Sequence, residues 1–184
     1  MSERRKRLLG TLRPMAEGDL ERVLTWRNHP EVRRWMYTTH EIGLDEHRAW
    51  FAAASADPRK HLLVYEVEGV PAGFVNLTRD TGDATVATWG FYLAPDAPRG
   101  SGRGLGAAAI AHAFIELGVE LLLAEALGHN ANSIAFHRRL GFEDAGLRDE
   151  PHRPQGVGDG EPVDVVRFRL ERAAWVAGQE EGAS

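Results

Sequence analysis

The run Arg99-Gly100-Ser101-Gly102-Arg103-Gly104-Leu105-Gly106 carries the densest chemistry in the chain. It lies between an apolar strand-like segment, residues 87–93, and a helical one, residues 107–117. Glycines let a backbone approach a ligand closely and permit the positive φ angles that aim successive N–H groups inward. A helix that follows adds its unpaired first-turn N–H groups and its positive dipole end. The combination makes a pyrophosphate cradle; a Gly-rich surface turn is the plainer alternative. A P-loop is excluded, because no Gly-Lys-Ser/Thr closes the run. A dinucleotide loop would open an amino-terminal βαβ unit and carry an acid about 20 residues on. Glu125 stands at that spacing, but its neighbours suggest another role. They belong to a second block, Asn130-Ala131-Asn132-Ser133-Ile134-Ala135-Phe136-His137-Arg138-Arg139-Leu140-Gly141-Phe142.

The two blocks together resemble the GNAT N-acetyltransferases. Arg99 to Gly104 fits that family's acetyl-CoA loop, Gln/Arg-x-x-Gly-x-Gly/Ala. The register two residues later, ending Gly104-Leu105-Gly106, fits as well, with Ser101 in place of the Gln or Arg, and suits the small-residue helix that follows. The second block is similar to Asn-x-x-Ser/Ala-Ile-x-Leu-Tyr/His-Glu-Lys-Leu-Gly-Phe. Strand, Gly loop, helix, strand, Asn-led helix and Gly-Phe occur in the family's order over residues 8–171. The resemblance implies one domain of α/β (α+β) class. Its central sheet is mixed, mostly antiparallel, flanked by helices and splayed where the cofactor enters. It also implies acetyl-CoA as co-substrate, with Ser101, Gly102, Arg103, Gly104, Leu105 and Gly106 at the pyrophosphate. Leu93 would offer its backbone N–H to the oxyanion and the pantetheine. Asn130 would contact pantetheine or only cap the helix it starts.

Acetyl transfer to an amine needs a proton acceptor, an oxyanion donor and a proton donor for the departing thiolate. With no cysteine in the chain, direct transfer in a ternary complex is the simplest scheme. His137 takes the position where the family commonly has a tyrosine general acid, and histidine titrates near working pH. The bland reading is a helix-surface histidine paired with Glu143 or solvent. Resemblance suggests Glu125 as the base, acting through a water. Its bland reading is a strand carboxylate paired with an arginine.

Residues 26–42, Trp-Arg-Asn-His-Pro-Glu-Val-Arg-Arg-Trp-Met-Tyr-Thr-Thr-His-Glu-Ile, with Glu46-His47-Arg48-Ala49-Trp50-Phe51, resemble one branch of the family. That branch acetylates UDP-4-amino-4,6-dideoxy-N-acetyl-β-L-altrosamine in pseudaminic acid biosynthesis. Ribosomal-protein-type N-terminal acetyltransferases share the Arg-Asn-x-Pro-x-Val part and are the rival within the enzyme class. A non-catalytic acyl-CoA-binding module is the rival outside it. A 6-deoxy sugar carries a methyl group, for which Met36, Tyr37, Trp50 and Trp89 could line an apolar pocket. The UDP diphosphate needs positive charge, which Arg27, His47 and Arg79 could supply, with hydroxyls from Thr78 and Tyr92. The opposing reading makes the tryptophans core, because Trp26, Trp35 and Trp50 recur at helical spacing, and leaves Arg33 and Arg34 solvated.

The elements that must position these groups are read from periodicity and turn residues. Strand 8–14 leads to helix 17–27. Asn28 or His29 caps a second helix with Pro30 at its first position, and helix 45–56 follows. Strands 61–68 and 72–79 form a hairpin across Gly69-Val70-Pro71, and strand 84–93 leads to the Gly loop. Then come helix 104–118, strand 119–127, helix 131–140 and strands 143–148 and 163–169. The loop at 151–160 reads as mobile, and the polar tail from about 177 as frayed.

Composition narrows the partners. The 184 residues suit a single domain, and 27 acidic against 22 basic residues give a net charge of −5, which argues against a general nucleic-acid surface. The lack of cysteine removes disulfides, thiolate metal sites and a Cys nucleophile. His40 and His47 are too irregularly spaced for a metal pair, and no His-x-x-x-His occurs, so no metal is expected. No apolar run approaches about 18 residues. The basic start, residues 2–7, has no secretory apolar stretch after it, and a cytoplasmic location is the default. The apolar last strand could face a second subunit in a homodimer.

Overall fold

The computed structural model describes residues 10–153 and 161–181. The elements are β1 (Thr11–Pro14), a 3₁₀ turn (Glu17–Asp19), α1 (Leu20–Asn28), the one-turn α2 (Pro30–Arg33) and α3 (Leu44–Ala56). Strands β2 (Lys60–Val67), β3 (Val70–Arg79) and β4 (Val86–Leu93) lead to α4 (Ser101–Ala111), which runs on through a π-helical turn, His112–Glu116. The chain closes with β5 (Leu121–Leu127), α5 (Ala131–Arg139), β6 (Glu143–Leu147), β7 (Val165–Glu171) and α6 (Arg172–Glu181).

One seven-stranded sheet has the order β1-β2-β3-β4-β5-β7-β6. Its first half is covered on both faces, which explains the unbroken apolar run Leu62–Tyr65 in β2. Leu63, Tyr65, Val75 and Leu77 point to one side, with Leu105 and Ile110 of α4. Leu62, Val64 and Phe74 point to the other, with Val23 and Trp26 of α1 and Ala54 of α3. The period of two thus divides the core into two layers.

The strand pair that matters is β4 with β5, the one parallel pair in the sheet. Its register holds over Val86↔Leu121, Ala87↔Leu122 and Thr88↔Leu123, and then the strands part. Residues 89–93 stay bonded to β3 on one side, and residues 124–127 stay bonded to β7 on the other. This is the splayed, mixed and mostly antiparallel α/β sheet that the sequence implies.

Several boundaries differ from expectation. The β2–β3 turn is Glu68-Gly69, both with positive φ, a tight hairpin whose twist matches the strands. Val70 and Pro71 therefore belong to β3, where Pro71 sits at a bulge between Tyr65 and Glu66 of the partner. The helix expected over 17–27 begins as a 3₁₀ turn because the Asp19 carboxylate accepts from the Ala16 N–H at 2.9 Å. A helix runs over residues 172–181, so the described part of the tail from 177 is helical, and its Trp175 packs against Phe114 (ring centroids 5.5 Å). The basic start at 2–7, most of the 151–160 loop and residues 182–184 lie outside the described residues.

Candidate active site

The parting of β4 and β5 opens a cavity of about 1020 Å³. Backbone alternation decides what faces it. The Ala94 N–H donates to Ala72 C=O at 2.9 Å, so even-numbered residues of β4 bond β3 and odd-numbered ones turn the other way. Beyond the last β5 pair, the amides of Phe91 and Leu93 therefore point into the gap. The walls are apolar, from Phe91, Leu93 and Phe136, as a pantetheine arm requires.

The glycine run is not a loop but the first turns of α4. Gly100, at φ +89°, precedes the helix. The Ser101 N–H donates to Pro98 C=O, and the Arg103 and Gly104 N–H groups both reach Gly100 C=O, at 3.1 and 3.4 Å. The expectation that six amides from Ser101 to Gly106 converge on phosphate is therefore corrected. Leu105 lies wholly in the core. Gly106 is a packing residue: a Cβ there would stand 2.7 Å from Leu140 Cδ1 and 3.1 Å from Phe136 Cζ of α5 and its end. Of the run, Gly102 lines the cavity. The α4 amino terminus, with its dipole, remains the group facing an anion there.

Asn130 caps α5, its Oδ1 accepting from the Ser133 N–H at 3.0 Å, and it also lines the cavity. Two turns on, His137 is 1% exposed. Its ring stacks on Phe168 at 4.8 Å and meets Trp89 edge-on at 5.6 Å. Nδ1 is 2.8 Å from Ser133 C=O. A carbonyl only accepts, so Nδ1 carries the proton and Nε2 is bare. Burial pushes the imidazole below its ordinary 6.5. At neutral pH His137 is thus a neutral acceptor, not the resting proton donor that the sequence suggests. It is also no surface group, and Glu143 faces Arg169 instead.

Glu125 projects from β5 beside the gap. Its Oε2 accepts from the Tyr37 hydroxyl at 2.5 Å and lies 3.6 Å from Arg148 Nη1. Tyr37 is held in turn by His152, whose Nε2 is 3.0 Å from the Tyr37 carbonyl and whose ring lies 4.4 Å away. The Tyr37 hydroxyl is pushed above its ordinary value by burial and by the adjacent carboxylate. The loop carrying Met36 and Tyr37 is pinned by Asn28, whose side chain exchanges two 2.8 Å hydrogen bonds with the Ile42 backbone.

The remaining substrate candidates separate into three groups. Met36, Tyr37 and Tyr92 line the cleft. Arg27, His47 and Trp50 line a second cavity of about 300 Å³, which Tyr92 divides from the first. Two polar atoms there are buried without partners, Arg27 Nη1 and His47 Nε2. His47 is only 4% exposed, and burial lowers its pKa. Trp89 lines the cleft with Met36 and Tyr37 and is backed by the layer under α5, stacked on Phe142 at 5.4 Å, whereas Trp50 is set apart in the second cavity. Thr78 and Arg79 line neither cavity. Arg79 sits opposite Ala87, at the closed end of β4, and its Nη2 donates to Leu117 C=O at 2.5 Å. Arg79 is therefore removed from the phosphate-binding set.

Asn28, Arg148 and Arg167 are site residues that motif reading missed. Asn28 had a signal, as part of the Arg27-Asn28 pair. The two arginines had none, because only strand pairing brings them to Glu125. Among the described residues, no group of three or more His, Cys, Asp or Glu is placed to hold a metal ion, and no helix is long and apolar enough to cross a membrane.

The profile of the acetyltransferase (GNAT) domain family matches residues 10–143. The chain belongs to that family, and it is an acetyl-CoA-dependent N-acetyltransferase. Two Campylobacter jejuni proteins named acetyltransferase PseH, from strains 81-176 and NCTC 11168, are 28% identical over 127 residues, 67% of this chain and 76% of theirs. Among solved structures, a Vibrio cholerae spermidine N-acetyltransferase with CoA and spermine superposes with a TM-score of 0.79 at 20% identity, covering 90% of this chain and 97% of that one. The aminoglycoside acetyltransferase AAC(6')-Ib with coenzyme A and kanamycin gives 0.75 at 20% identity, over 92% and 98%.

Proposed function

We propose that the enzyme transfers acetyl from acetyl-CoA to the 4-amino group of a UDP-linked 4-amino-4,6-dideoxy sugar, by direct attack in a ternary complex. The observation that carries this is the pair of cavities meeting at Tyr92. One holds a carboxylate and the apolar Met36 beside the β4–β5 gap. The other offers an unpartnered guanidinium nitrogen and a buried imidazole among aromatic rings. An acceptor spanning both carries an amine and a methyl at one end and an anionic, planar group at the other. The likeness to the PseH proteins supports the same reading.

In this mechanism Glu125, through a water, takes the proton of the substrate ammonium. The freed amine attacks the thioester carbonyl, and the Leu93 N–H receives the oxyanion. The nitrogen sheds its second proton to the bare His137 Nε2. The C–S bond then breaks, and that proton passes to the thiolate. The products are the amide and free CoA. Tyr37 orients Glu125 throughout.

Incubation with acetyl-CoA and either the UDP-amino sugar or peptides beginning with Ser or Ala tests the acceptor. Turnover of the sugar nucleotide is expected. Turnover of the peptides alone would overturn the reading in favour of protein N-terminal acetylation.

A further inference from the structure

The cleft wall beside Glu125 holds more positive charge than its own acids use. Glu125 on β5 pairs in register with Arg167 on β7. Their side chains leave the same face of the sheet as cross-strand neighbours, with Cβ atoms about 5 Å apart. Glu125 already has Tyr37 as its hydrogen-bond donor. Arg167 lines the cavity, and its Nε is buried without any partner. Glu31, at the other end of the cleft, is paired with Arg34 at 3.0 Å. The uncompensated charges lining the cavity are therefore Arg167 and Arg139, both positive, in a chain of net charge −5. Arg148 is the counter-charge of Glu125, at 3.6 Å, and is held in place by an Nε–H donated to Glu150 C=O at 2.8 Å, so Arg167 beside it stands as a second positive charge with no acid of its own.

We propose that Arg167, with Arg148 beside it, forms a subsite for an oxyanion, phosphate or carboxylate, carried by the acceptor close to its reactive amine. A guanidinium presents a planar fork that matches either group. The longer arginine reaches farther from the sheet than Glu125 does. The anion therefore docks outside the amine and steers it onto the carboxylate. The inference rests on Glu125 marking the amine's position, not on the acceptor being a UDP-sugar.

The test loads the enzyme with acetyl-CoA, so that the coenzyme's phosphates fill their own sites, and titrates inorganic phosphate and acetate separately by calorimetry. One saturable site is expected, weakened at least tenfold in R167Q and in R148Q and retained in R27Q. Tighter phosphate would assign a phosphorylated acceptor, and tighter acetate a carboxylated one. Absence of saturable binding, or binding unchanged in both R167Q and R148Q, overturns the proposal. Loss in R27Q instead would place the anion in the second cavity, sinking this subsite and leaving the UDP reading intact. Failure of the UDP-amino sugar as an acceptor would leave the titration unaffected, so the two failures are distinguishable. R148Q carries the test should R167Q fail to fold.

Discussion

Glu125 and His137 show how much of a residue's role lies in its neighbours. Both stand out by type and position, one ending a strand at the gap and one inside the Asn-led helix. What the sequence cannot carry is the protonation each adopts. Ser133, one turn upstream, fixes the His137 tautomer through its carbonyl, and aromatic rings from β4, β7, α5 itself and the turn that follows it desolvate the imidazole. Removing the base should act on chemistry alone. We expect Glu125→Gln to lower kcat by about 10²–10⁴-fold, the usual worth of a positioned acid–base group, with acetyl-CoA affinity unchanged by calorimetry. His137→Phe keeps the aromatic packing and deletes the relay. It should lower kcat by about 10²-fold or more, within the range of a positioned acid–base group, while the melting temperature stays close to that of the parent. Full activity in that variant would reduce His137 to core.

At the scale of elements, the mixed sheet and its splay followed from motif order, whereas the order of its last two strands had no signal and the glycine run shows where local reading stops. Its composition reads as a loop, but helix formation from Ser101 satisfies backbone groups that a loop would leave unmet. Its last glycine is there because α5 crosses at that point, and a crossing is a tertiary fact. Gly102 and Gly106 should consequently fail in different ways. A Cβ at Gly102 would meet nothing nearer than Leu93 Cδ1 at 3.6 Å. Gly102→Val should therefore fold normally and lose acetyl-CoA binding, seen by calorimetry. Gly106→Ala forces Leu140 aside. Overpacking of that kind costs about 1–3 kcal/mol, so a Tm lower by roughly 3–10 °C is expected, with binding retained in the folded fraction. Arg79 teaches the same lesson in reverse. Its sequence position beside Thr78 suggests phosphate, yet strand alternation turns it to the opposite face of the sheet from Phe74 and toward the end of the π-helical turn.

For the molecule as a whole, two buried neutral imidazoles and one ion-paired carboxylate make stability depend on pH in two steps. His47 and His137, in different core layers, both have pKa values lowered by desolvation from an ordinary 6.5. A depressed folded pKa means that the unfolded chain binds the proton first, so stability is fully present above about 6.5 and declines as pH falls below it. The second step belongs to the amino-terminal edge. Hydrogen bonds from Arg13, at 2.6 and 2.8 Å, hold the Asp19 carboxyl below its ordinary 3.8. Asp19 is 5% exposed, and the same arginine also binds Glu66 on β2 at 2.7 Å. By the same sign, that contribution persists above about 4 and disappears as the pH drops through the carboxylate range. Thermal melts from pH 8 to pH 3 should therefore show a first decline beginning near 6.5 and a second below 4. His137→Phe should shallow the first without moving the second, and Asp19→Asn should do the opposite. A single decline confined to the carboxylate range would mean that the imidazoles are hydrated in solution. The neutral acceptor on which the proton relay depends would then have no basis.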